Sequence, residues 1–198
     1  GANTYSGATT VNAGTLAISS TGTLGNTASL LTISSATVDL QGSVTVGSLS
    51  MTGTSPSITN STGTSSLTVN GTSTLANSVT TSGAQTYTGA VTLGANTTLS
   101  STGGASAISL ASTLNGAYSL TVSNAGGATT FGNAVGSTAA LTSLTITTGT
   151  LTANAIALAT GGALSVTDSG AGTIAGVISG TSVTLTKAGA GTLTLSGA

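Results

Sequence analysis

Chemistry needs ionisable side chains, and this chain of 198 residues has three: Asp39, Asp168 and Lys187, with no His and no Cys. Two carboxylates can serve as the acid and base of a hydrolysis when they face each other across a substrate. Asp39 and Asp168 stand 129 positions apart, each after an apparent strand residue. Nothing in the sequence brings them together, and they read as solvated surface acids. Ser and Thr are plentiful, but a hydroxyl nucleophile needs an activating base. One Lys and no His supply none. Lys187 beside Asp168 would make at most a surface ion pair, worth about 0–1 kcal/mol. The sequence therefore assigns no catalytic residue and no enzyme activity.

Binding chemistry is equally sparse. Without Cys there is no disulfide framework and no thiolate metal site. Calcium-binding repeat rolls need GGxGxD. The GG pairs at Gly103-Gly104, Gly126-Gly127 and Gly161-Gly162 are never followed by that Asp. No metal ligand and no cofactor-binding residue is assigned. Nucleic-acid binding needs a basic footprint, and one Lys is not one. No apolar run approaches the roughly 20 residues of a membrane-spanning helix. Tyr5, Tyr87 and Tyr118 read as core or corner plugs, because two of them sit in the same TY[ST]GA motif. TxT pairs occur at Thr21/Thr23, Thr52/Thr54, Thr62/Thr64, Thr72/Thr74, Thr145/Thr147, Thr184/Thr186 and Thr192/Thr194. Ranks of TxT can order ice, but that needs one pair per coil in register, and this spacing is uneven. They read as outward Thr on strands. Sequons at Asn60, Asn70 and Asn96 are weak signals in so Asn- and Thr-rich a chain.

The elements are short strands. Two aliphatic residues flank one small polar residue, as in Leu16/Ile18, Leu31/Ile33, Val38/Leu40, Val44/Val46, Leu67/Val69, Ile108/Leu110, Val183/Leu185 and Leu193/Leu195. Period-two alternation turns the aliphatic pair inward and the residue between them outward. No sustained helical period is present, and essentially no helix is expected. Gly and Asn mark the corners, where positive φ is tolerated. The only proline, Pro56, belongs in a corner or an interrupted coil.

Core thickness separates the two all-β options. Facing sheets lie about 10 Å apart and fill that gap with large, often aromatic side chains. This chain has one Phe, three Tyr and no Trp. A narrow solenoid needs only small stacked residues. At about 20 residues per coil the chain makes roughly ten coils, a rod on the order of 50 Å at about 4.8 Å per layer.

The chain repeats itself. GANTYSGATT (Gly1 to Thr10) aligns with GAQTYTGAVT (Gly83 to Thr92), 82 positions on. No linker divides them, so residues 1–198 read as one solenoid module. The ends also overlap. GTLTLSGA (Gly191 to Ala198) and GANTYSGATTVNAGTLAI (Gly1 to Ile18) share GA, which gives a tandem period of about 196 residues. Neither end carries the charge or Pro that blunts an open strand edge. Each end is expected to meet a further copy, within one chain or between subunits.

Rejoined, KAGAGTLTLSGANTYSGATTVNAGTLAI closely resembles the autotransporter-associated β-strand repeat of bacterial surface proteins. The stretch from Gly83 to Gly104, continued through Leu114 to Ile156, is similar to repeats of filamentous-haemagglutinin-like giant adhesins. The resemblance implies a right-handed parallel β-helix, secreted to the extracellular side or outer surface of a Gram-negative bacterium. It implies roles in adhesion or biofilm, with no enzyme activity in the repeat. Two functions follow as expectations: a structural module of an extracellular filament or matrix fibre, or the stalk of a giant adhesin whose ligand the sequence does not name. The low charge favours packing end to end and side by side over a solvated stalk.

Overall fold

The computed structural model describes residues 1–197, apart from the side chain of Ala125. Ala198, half of the terminal GA, lies outside the described residues. The structure is a parallel β-solenoid of nine coils with three faces. Its twenty strands form one continuous sheet, and every strand pairing is parallel. No described residue is helical.

The chain climbs the three faces in turn. β1 (Thr9–Val11) and β2 (Thr15–Ile18) lie on the first and second faces of coil one. β3 (Leu30–Ser34), β4 (Thr37–Leu40) and β5 (Ser43–Val46) make coil two, and β6 (Ser48–Thr52), β7 (Ser57–Thr59) and β8 (Ser66–Val69) coil three. Longer strands then bend around a corner. β9 (Ser73–Thr81) and β10 (Gln85–Tyr87) make coil four; β11 (Val91–Ser101) and β12 (Ile108–Leu110) make coil five. β13 (Leu114–Asn115) and β14 (Ser119–Phe131) make coil six, and Val135 with β15 (Leu141–Ala153) makes coil seven. β16 (Ile156–Asp168) and β17 (Ala171–Ile174) make coil eight; β18 (Ile178–Ser179), β19 (Thr184–Ala188) and β20 (Thr192–Leu195) make coil nine.

Alternation within each strand sends one residue in two to the core, and parallel register stacks those residues into columns. On the second face Val38, Ile58, Val79, Leu99, Val122, Ile146 and Val166 are fully buried and stand one above another. On the third face Val69, Tyr87, Leu110, Phe131, Ala153 and Ile174 do the same. The large Phe131 sits on the small Ala153, so each layer's excess volume is met by a neighbour's deficit. The aliphatic pairs read from sequence fall in these strands, except that Val183 lies one residue outside β19.

Coil length is the variable. Steps between paired strands run from 17 positions (Leu141 to Leu158) through 18 (Leu31 to Leu49, Val69 to Tyr87) to 24 (Leu49 to Ser73, Val122 to Ile146). The difference is absorbed at corners, where register shifts occur between Leu93 and Thr97 and between Asn124 and Ala128. Thr9 and Val91, the aligned residues of the internal repeat, share one column four coils apart. Pro56 is buried at the entry to β7, just after a corner. Nine layers about 4.8 Å apart give a rod about 40 Å long.

Candidate functional site

The two acids are not surface groups. Asp39 is 6% exposed and Asp168 is 1% exposed. The expectation of solvated carboxylates fails because Asp39 finds donors in Gln41 beside it and in Thr59 and Ser61 one coil on, and Asp168 meets a cation one coil on. Asp39 accepts from Ser61 N at 2.8 Å, Ser61 Oγ at 2.6 Å, Gln41 Nε2 at 2.9 Å and Thr59 Oγ1 at 3.3 Å. Burial pushes its carboxyl upward. The hydrogen bonds outweigh that and hold it below the ordinary value of 3.8. Asp168 meets Lys187, whose Nζ lies 2.7 Å from Oδ1. The ammonium donates its aligned hydrogen bonds to the carbonyls of Ala188 (2.6 Å) and Gly189 (3.2 Å), so the carboxylate contact is chiefly ionic. It is partly buried rather than a surface pair, since the Asp168 side chain is fully covered and that of Lys187 is 27% exposed. Asp39 and Asp168 lie on the same face, in coils two and eight, on the order of 30 Å apart along the rod. They cannot act on one bond.

Asp168 closes a buried polar seam inside the corner between the second and third faces. Thr81 pairs in register with Ser101, and Asn124 with Thr148 and Thr148 with Asp168. All five are buried. Their donors turn to corner carbonyls: Thr81 Oγ1 to Gly83 O at 2.7 Å, Ser101 Oγ to the same oxygen at 3.0 Å, Asn124 Nδ2 to Ala128 O at 3.0 Å. The seam is how the corner backbone is satisfied away from water. Asn side chains do similar work between coils on the outside. Asn60 Nδ2 donates to Leu40 O at 2.8 Å, and Asn96 Oδ1 accepts from Ser119 N at 3.0 Å.

Of the three tyrosines, Tyr87 alone is a core plug. It is fully buried, its hydroxyl donates to Gln85 Oε1 at 3.1 Å, and burial pushes its pKa up. Tyr5 is 43% and Tyr118 41% exposed, against the sequence expectation. Tyr118 precedes β14, in the corner that follows Gly116.

The hydroxyl pattern is more regular than the TxT spacing suggested. On the second face Thr37, Ser57, Ser78, Thr98, Thr121, Thr145, Ser165 and Thr186 pair in one unbroken outward rank. Beside it, Thr80, Ser100, Ser123, Thr147 and Thr167 form a second rank. Uneven coil lengths and the exchange of Ser for Thr hide both ranks from a search for TxT. Only Thr145/Thr147, among the pairs named from sequence, belongs to both. Among the described residues no group of three or more His, Cys, Asp or Glu gathers as a metal site. No described helix is long and apolar enough to cross a membrane.

The remaining candidate is the pair of rod ends, where backbone groups and core columns stop without a neighbour. Residues 1–18 and 185–198 match the family described as passenger-associated-transport-repeat. Both ends are similar to that repeat. No curated protein and no solved structure matches the chain.

The two matched stretches lie at opposite ends of the rod. The 1–18 stretch includes β1 and β2, on coil one; the 185–198 stretch includes β20 and most of β19, on coil nine. The end at coil one opens into a cavity of about 430 Å³ lined by Tyr5, Thr9, Leu16, Ile18 and Leu24. There Asn3 and Tyr5 lie against the third-face segment of coil one. Asn3 N donates to Thr23 Oγ1 at 2.9 Å, and Asn26 N donates to Tyr5 O at 3.0 Å. At coil nine Leu185 is 41% and Leu195 51% exposed. In register, Lys187 takes the column place that Val166 and Ile146 hold below it. A cation can occupy that place because Asp168 lies beside it, 2.7 Å from its Nζ.

Proposed function

We propose that this chain is a non-catalytic structural repeat module of an extracellular β-solenoid filament or surface fibre, on the outer side of a Gram-negative bacterium. The observation that carries the reading is the placement of the two stretches that match the passenger repeat. The two matched stretches sit at the two ends of one uninterrupted stack, each with strand edges that have no partner among the described residues; Leu185 and Leu195 are exposed at coil nine, and Tyr5 at coil one. Joined through the shared GA, the stretches make one continuous phrase, so each rod end is complementary to the other. Open edges of this kind pair with whatever strand is offered in register, and solenoid repeats gain their stability from such neighbour interfaces. A chain with three charged side chains, both acids buried, has little surface self-repulsion to oppose packing.

Negative-stain electron microscopy of the purified chain tests this reading. Long fibres of uniform width are the expected result. Discrete rods about 40 Å long would instead make polymer length a property of the gene and favour the stalk of a larger adhesin. Compact aggregates without fibres or rods would overturn both.

A further inference from the structure

The tandem joint of the proposed module has a definite rotational phase. We infer that a following copy stacks with its faces advanced by one, so that β1 of the following copy lies on β19 and its β2 on β20. The inference rests on the tandem reading above and deepens it by specifying the interface.

Chain length decides among three phases. Within the rod, one turn always advances the numbering by 17 to 24 positions, whichever face is followed. Let the following copy begin at the shared GA, so that its numbering is offset by 196. Like face on like face then puts Thr9 of that copy over Ile178, a step of 27 positions, longer than any turn in the structure. Advance by two faces puts Val11 over Leu195, a step of 12, shorter than any. Advance by one face gives 20 from Lys187 to Val11, 19 from Leu193 to Leu16 and 23 from Ile178 to Tyr5. All three lie within the observed range. Each copy then contributes nine coils and one further face.

Side-chain chemistry agrees with the step count. Inward residues meet inward residues: Leu193 and Leu195 come under Leu16 and Ile18, which line the open cavity at coil one. Gly191-Thr192-Leu193 stacks on Gly14-Thr15-Leu16, the same three residues in the same order. Three of the six exposed large apolar side chains, Tyr5, Leu185 and Leu195, enter the joint. Val11 covers Lys187 and completes the burial of its pair with Asp168.

A covalent two-copy chain, with Asn3 of the second copy following Ala198 of the first, tests the phase by disulfide trapping. The chain has no Cys, so any introduced pair is unique. Thr10, Ser179 and Thr186 are exposed, outward strand positions, where Cys should not disturb packing. Thr10→Cys in the second copy is combined with either Thr186→Cys or Ser179→Cys in the first. Adjacent parallel strands place Cα atoms within disulfide reach, and strands on different faces do not. Near-complete closure of the Thr186 pair, with little for Ser179, is expected on a non-reducing gel. Closure of the Ser179 pair instead would overturn the phase while leaving the tandem stack intact. Closure of neither, with circular dichroism showing both copies folded, would overturn the stacked joint itself. A second pair, Thr194→Cys with Ala17→Cys of the second copy, repeats the test on the third face and must agree with the first.

Discussion

Leu99 in coil five and Leu195 in coil nine are both inward leucines of alternating strands, and they live in different environments. In coil five Leu99 is fully buried between Val79 below and Val122 above. In coil nine Leu195, at the same inward phase of its strand, is 51% exposed. Both follow a Thr in an alternating strand, but Leu99 lies within β11 on the second face and Leu195 ends β20 on the third. What also separates them is the presence of a neighbour on both sides. At the coil-nine end burial falls for want of a covering layer, as expected where each repeat touches only the next, whereas Val11 and Ile18 of coil one stay buried. One column passes from seven buried aliphatic layers to Lys187, whose charge is met by Asp168. A charge in that place within coils two to eight would be sealed off on both sides, which is costly without a partner.

The largest expected effect tests that difference directly. Leu99→Ala should cost about 2–5 kcal/mol, the range for emptying a fully packed site. Leu195→Ala in the isolated chain should cost no more than about 0.5 kcal/mol, as for an exposed position. Urea unfolding followed by circular dichroism measures both. Equal losses would mean that coil nine is already covered in solution, by a second copy, and would turn the contrast into evidence of assembly.

Backbone spacing gives a second, smaller contrast. Gly149 lies at the corner between the second and third faces, where an added Cβ would come 2.8 Å from the Gly126 carbonyl oxygen and 2.9 Å from that of Gly127. Neither atom is a flexible side-chain end, so the coils would have to part. Gly149→Ala should destabilise by about 1–3 kcal/mol, the usual cost of overpacking. At Gly7 an added Cβ meets nothing within 4 Å, and Gly7→Ala should be neutral within about 0.5 kcal/mol. Thermal unfolding of the two variants reads the comparison. A neutral Gly149→Ala would show that the corners slide apart easily and that the interior coils are no tighter than the ends.

Much of this was legible in the sequence, and the rest failed for one physical reason. Strands with an aliphatic pair were visible because period two is local. β10 was not, since its inward residues are Gln85 and Tyr87, and β7 offers only Ile58. The solenoid itself followed from the shortage of aromatics and the open edges. Register did not, because corners vary the turn between 17 and 24 positions, and no fixed period aligns the columns. Everything that depends on register was lost with it. The hydroxyl ranks of the second face, the seam from Thr81 to Asp168, the Thr59 and Ser61 donors of Asp39 and the cation beside Asp168 all lie one coil away. Lys187 is 19 positions from Asp168, about one turn, and the pair was expected from sequence; its burial was not, because that depends on register. The exposure of Tyr5 was hidden differently: it shares its motif with buried Tyr87, but sits where the stack begins.

Asp39 offers the smallest effect and the sharpest reading of the interior. Ser61, one coil on, donates to its carboxylate through both N and Oγ, so the charge helps fasten coil two to coil three. Those bonds favour the ionised form and depress the folded pKa below the 3.8 that the unfolded chain has. A depressed acid binds protons more readily when unfolded, so acidification favours unfolding. Its contribution is therefore fully present above the unfolded pKa and is lost as the pH falls through the lower, folded value. Stability of the wild-type chain should decline as the pH is taken from 5 toward 2. Asp39→Asn keeps the shape and removes this titration, so its stability should be lower at pH 5 and should fall less on acidification. Urea midpoints at the two pH values decide the matter. Parallel declines in both proteins would place the acid sensitivity elsewhere, and would mean that the Ser61 bonds do not distinguish the two protonation states.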